Sequence, residues 1–169
     1  MSEQIKYCQE KGKIVTISLG GADSEVGFST DSQAQTFADY IWNMFLGGSE
    51  QNIQRPFGDA ILDGYAGLSF SSISGLNANI ASFPFLVVVV VIYILRVDLD
   101  IENGGRRGYA AFVNRLRERA NNGTNKLFVS AAPQCVFPDA YIGKALNEAP
   151  FDAVYVQFCT SMLFVLSPG

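Results

Sequence analysis

The chain of 169 residues has no histidine, only three cysteines and one tryptophan, and 17% of its residues are charged. Without histidine there can be no Ser-His-Asp triad, no Cys-His dyad and few kinds of zinc site. Cys8, Cys135 and Cys159 are an odd number with no CxxC spacing, so neither a metal knuckle nor a complete disulfide set is visible. A net charge of −4 and a pI near 4.7 leave nothing to neutralise phosphates, which argues against a nucleic-acid partner. Long apolar runs are also lacking. The uncharged stretch Phe83 to Leu95 is shorter than the roughly 18 residues of a spanning helix, and Pro84 interrupts it. Its five successive valines favour a strand, so a buried or aggregation-prone segment is expected there rather than a membrane span. Met1-Ser2-Glu3-Gln4 is polar and carries no secretory signal.

What is present is 49% hydrophobic residues, enough for one sizeable core, and one unusual acidic stretch. In Val97-Asp98-Leu99-Asp100-Ile101-Glu102 the apolar residues alternate with three carboxylates. Read as a strand, the carboxylates form a column on one face, spaced roughly 7 Å apart, close enough to perturb one another. A solvated strand face or a cation site would explain this pattern. So would general acid catalysis, in which neighbouring charges keep one carboxyl protonated near neutral pH.

Around that stretch the chain alternates strand and helix patterns. Ile5 to Lys11 reads as a helix end closed by Gly12, and Lys13 to Leu19 as a buried strand running into Gly20-Gly21. Ser29-Thr30-Asp31 offers a cap for a helix through Phe45, with Phe37, Ile41, Met44 and Phe45 on one face and Trp42 in a packing role. Asp59 to Gly64 begins a strand-like segment. Arg106 to Asn122 reads as an amphipathic helix with Tyr109, Phe112, Val113 and Leu116 inward and its five arginines on a solvated face. Leu127 to Ala131 is a strand, Pro138 to Leu146 a short helix with proline in its first turn, and Phe151 to Phe158 a further strand. Four strand-helix units imply an α/β fold with a parallel sheet. Periodicity does not separate an open sheet from part of a barrel.

Setting 65–96 aside joins Asp63-Gly64 to Val97-Asp98-Leu99-Asp100-Ile101-Glu102, giving DGVDLDIE. This resembles the DGxDxDxE signature of glycoside hydrolase family 18, and Ser18-Leu19-Gly20-Gly21 resembles that family's SxGG strand. KIVTISLGGA, FADYIWNMFLGG, RPFGDAILDG, SAAPQCVFPD and FDAVYVQF point to its class III, plant/fungal-type chitinases. The resemblance implies an incomplete (β/α)8 TIM barrel, with residues 1–169 forming a partial catalytic domain that covers about the third to sixth strands. It also implies an endochitinase cleaving β-1,4-N-acetylglucosamine linkages with retention of configuration, with chitin or chito-oligosaccharide as partner and no cofactor or metal ion. The alternative is a non-catalytic chitinase-like carbohydrate-binding protein. Such proteins usually lose the acid, which is present here.

By that resemblance Glu102 is the general acid, Asp100 orients the substrate acetamide and Asp98 tunes Asp100. Gln157, Gln134 and Ala132 would line the subsite floor with Gly20 and Gly21, while Ser18, Asp63 and Gly64 are structural. Cys159 stands where the family has an acetamide-holding tyrosine, and Cys8 and Cys135 lack their family partners. An extracellular or cell-wall location is implied, with which the sequon Asn122-Gly123-Thr124 is compatible. Residues 65–96 and 159–169 are expected to lie outside the family pattern, the first as a retained intron. An insert ending at Arg96 would interrupt the acidic strand and leave its register unfixed. The chain as written is expected to be inactive.

Overall fold

The computed structural model describes residues 1–21, 27–65, 93–122 and 126–158. The valine run at 87–91, Cys159, the 159–169 tail and the sequon's Gly123-Thr124 lie outside the described residues. A first helix, α1 (Ser2–Glu10), leads into strand β1 (Ile17–Gly20). Helix α2 (Asp31–Phe45) follows, and Thr30 caps it by accepting the Gln33 amide. Next come β2 (Asp63–Tyr65), β3 (Tyr93–Asp100) and α3 (Tyr109–Asn121). The chain continues through β4 (Lys126–Ala131), α4 (Gly143–Glu148) and β5 (Ala153–Val154).

Four strands lie parallel in the order β1-β3-β4-β5. Each of the first three is joined to the next through a helix, the connection parallel strands require. This is an α/β fold whose parallel strands sit side by side in chain order, the order that consecutive units of a (β/α)8 barrel have. The register sets Ile17, Val97 and Val129 side by side, and one step along it sets Ser18, Asp98 and Ser130 side by side. Residues on one face of β3 (Leu95, Val97, Leu99) and Ile101 beyond it are buried against the helical layer. There Phe28, Phe37, Tyr109 and Phe112 form an aromatic cluster, with ring centroids 5.5–6.2 Å apart.

Several elements differ from their sequence patterns. The acidic strand is continuous rather than split: Tyr93 to Arg96 complete it, with Leu95 opposite Leu127 and Arg96 opposite Phe128. Asp63-Gly64 lie beside this strand instead of leading into it, in an antiparallel pairing with Leu95 and Ile94. The α3 arginines are not a solvated face, because Arg115 and Arg119 both pair with Asp39 of α2, at 2.9 and 2.7 Å. Arg117 donates to the Pro150 and Leu127 carbonyls and pairs with Asp152, tying α3 to the starts of β4 and β5. Pro138 precedes α4 rather than opening it, and β5 is shorter than its apolar pattern suggested.

Candidate active site

Strand β3 presents Arg96, Asp98 and Asp100, all half-buried, on the face opposite its core residues, and Glu102 follows two residues beyond the strand's end. The three carboxyls have different surroundings. Asp98 accepts the Ser18 hydroxyl at 3.1 Å on one oxygen and the Ser130 hydroxyl at 2.5 Å on the other. Both serines are its register partners on the flanking strands. Asp100 accepts the Gln157 side-chain amide at 2.5 Å, and the same amide donates to the Ala132 carbonyl at 2.9 Å. Burial pushes the Asp100 carboxyl up from its ordinary value, and the charges of Glu102 and Asp98 act in the same direction. Glu102 is half-buried and takes no hydrogen bond among the described residues, so its carboxyl is available to a ligand.

The end of β1 comes very close to this strand. The Gly21 amide donates to the Asp100 carbonyl at 2.7 Å, and a Cβ on Gly20 would lie 2.0 Å from that same oxygen. Gly20 also holds φ at +118°, so both space and conformation require glycine. Below the carboxylates a cavity of about 290 Å³ is lined by Thr16, Ser18, Arg96, Asp98, Phe128 and Tyr155, among others. The Arg96 guanidinium lies 4.4 Å from the Phe128 ring centroid.

Asp98, Asp100, Gln157, Ala132, Ser18, Gly20 and Gly21 are thus brought together, with Glu102 two residues beyond Asp100. Gln134 reaches the group through its backbone, bridged to Gln157. Asp63 and Gly64 lie alongside β3 and do not precede its carboxylates. Cys8 and Cys135 are free. Among the described residues no group of His, Cys, Asp and Glu is arranged to hold a metal ion, and no helix is long and apolar enough to cross a membrane. One contributor escaped the sequence pattern, Ser130. Ser130 opens the quoted SAAPQCVFPD stretch, but its pairing with Asp98 follows from the register between β3 and β4.

Comparisons with known proteins bear on the family and the fold. The profile described as "Glycosyl hydrolases family 18" matches residues 2–162. Chitinase 2 of Rhizopus oligosporus is 44% identical over 154 residues, covering 91% of this chain and 22% of that protein. Among solved structures, a chitinase from Ipomoea carnea superposes with a TM-score of 0.69 at 32% identity, covering 93% of this chain and 45% of the other. A xylanase and alpha-amylase inhibitor protein from Scadoxus multiflorus also gives 0.69, at 30% identity, covering 95% and 47%. The chain therefore spans less than half the length of each of these three proteins.

Proposed function

The chain belongs to glycosyl hydrolase family 18, and from that premise we propose that it carries the catalytic strands of an endochitinase. The substrate is β-1,4-linked N-acetylglucosamine, as chitin or chito-oligosaccharide, at an extracellular or cell-wall location. Glu102 protonates the glycosidic oxygen as the bond breaks. The substrate's own 2-acetamido oxygen attacks the anomeric carbon, forming an oxazolinium-like intermediate, so no enzyme nucleophile is required. Water then opens the intermediate on the face the leaving group left, giving its proton to the Glu102 carboxylate, and configuration is retained. Asp100 holds the acetamide and stabilises the positive charge that develops on it. Asp98, fastened by two hydroxyls, shares a proton with Asp100 and tunes it.

The observation that carries this reading is the division of labour along the column: Asp98 and Asp100 are held by neighbouring side chains, while Glu102 takes no hydrogen bond among the described residues. The second reading is a non-catalytic carbohydrate-binding protein on the same scaffold, and the structural similarity to a protein named as an inhibitor favours its non-catalytic part. Glu102→Gln in a complete barrel carrying these strands separates the two. An enzyme loses at least about 10²-fold in hydrolysis while still binding chito-oligosaccharide, whereas a binding protein has no hydrolysis to lose. A loss below about tenfold would assign the acid role elsewhere.

A further inference from the structure

Among the described residues two polar side chains are buried, Ser130 and Asp139, at 5% and 8% exposure. Ser130 touches Asp98 directly. Asp139 touches none of the carboxylates, yet both of its oxygens are committed. One accepts the amides of Tyr141 and Ile142, at 2.8 and 2.6 Å, at the start of α4. The other accepts the Gln134 amide at 2.8 Å, across the loop. The segment thus secured runs from the end of β4 and supplies two anchors to Gln157. The Pro133 carbonyl accepts the Gln157 backbone amide at 2.9 Å, and the Ala132 carbonyl accepts its side-chain amide at 2.9 Å. That side-chain amide is the group that meets Asp100.

We propose that Asp139 is a positioning residue for Asp100, acting through the 132–134 segment and Gln157. A buried carboxyl accepting three backbone amides is a rigid anchor, because releasing any one of them leaves a donor unsatisfied away from water. Its rigidity passes to Ala132 and Pro133, which between them fix where the Gln157 amide points. The bond from that amide favours the ionised form of Asp100, the form that the positive intermediate requires. The proposal rests on the chitinase reading for its catalytic meaning, but not for its test.

The test is made on the full chain by following the Asp100 carboxyl carbon and the Gln157 side-chain amide by NMR through a pH titration. Asp139→Asn keeps the shape but leaves a single acceptor oxygen, so it cannot hold Gln134 and α4 at once. It is expected to move the Gln157 amide resonance and raise the Asp100 midpoint by about one pH unit, the size of one charge-assisted hydrogen bond. The carboxylates acting on Asp100, Glu102 and Asp98, are untouched, and neither Gly20 nor Gln157, which face it from the flanking segments, titrates. Gln157→Ala should give the same upward shift, and the double variant no further shift. Additive shifts, or a loss of thermal stability with the Asp100 midpoint unmoved, would overturn the proposal. If Asp139→Asn does not fold, Gln157→Ala decides alone. It must raise the Asp100 midpoint and leave the Gln134 backbone amide resonance in place, and any other result overturns the proposed order of control. Failure of the chitinase reading would look different: no hydrolysis by the completed barrel, with these titrations unchanged.

Discussion

Asp100 is pushed in one direction by burial, by Glu102 and by Asp98, and the consequences for stability and activity have opposite signs. An acid whose folded-state pKa lies above its unfolded value opposes folding once it is ionised. That penalty is absent below the unfolded value, near 4, and complete above the folded one. Asp100→Asn is therefore expected to raise the Tm at about pH 7 and to leave it nearly unchanged at about pH 3, as thermal melts at both values would show. A lower Tm at neutral pH would mean that the Gln157 bond to the carboxylate outweighs the burial penalty. In a completed barrel the same variant should lose roughly 10²-fold or more in turnover, because an amide supplies no negative charge to the intermediate. Unchanged turnover at saturating substrate would remove Asp100 from the mechanism. Gly20→Ala is the sharpest steric test, since its Cβ would lie 2.0 Å from the Asp100 carbonyl oxygen at φ +118°. A loss of about 3 kcal/mol or more is expected in urea unfolding. Gly12→Ala is the control, at φ +70° with nothing within 4 Å, and should cost only about 1 kcal/mol.

At the scale of elements, α2 and α3 are clamped by Asp39, which receives Arg115 and Arg119 at 2.9 and 2.7 Å while 27% exposed. The Arg119 and Arg115 guanidinium groups hold its carboxyl well below the usual range against a smaller opposing effect of burial. Because the folded-state pKa is depressed, the stabilisation is fully present above the unfolded value, near 4. It is lost as pH falls through the folded one. Asp39→Asn should cost about 1–2 kcal/mol in urea unfolding at neutral pH, and the cost should shrink steadily below about pH 4. A pH-independent difference would mean packing rather than charge. This clamp also shows where sequence reading stops. The alternation of Val97 to Glu102 was legible because one face of a strand is buried and the other is not, and α2 was legible because its cap and apolar face agree. The arginines of α3 were misread because a helix pattern shows charge without showing which element faces it. Pro138 looked like a first helical residue, but the adjacent Asp139 takes the Tyr141 and Ile142 amides and sets the start of α4 at Gly143 instead. Ser130 and the shortness of β5 were hidden because strand partners are set by the sheet, not by the strand's own composition.

For the molecule as a whole, the decisive feature is that several residues flanking the carboxylates are open to solvent among the described residues. Ser18 and Gly20 on β1 are exposed, as are Tyr155 and Phe158 near β5, at 59% and 68%. In a closed barrel the matching strands pack layers of side chains against such residues. The polypeptide alone is therefore expected to give no detectable hydrolysis of a fluorogenic chito-oligosaccharide, while a chain completed with the remaining strands of a relative should turn it over. Excising 65–96 should not restore activity, since it adds none of those strands. Turnover by the chain alone comparable to that of the completed barrel would show these strands to be self-sufficient.

The pair of hydroxyls on Asp98 bears on how such strands can be moved between proteins. One side chain is fastened to a residue on each flanking strand, so the three strands form a single heritable block rather than three interchangeable pieces. Transplanting the acidic strand alone into another barrel would carry over a carboxylate without its two donors, leaving a half-buried charge with nothing to hold it. A chimaera that moves Ser18, Asp98 and Ser130 together should fold where one that moves Asp98 alone does not, so recombination between relatives should find its breakpoints outside this trio.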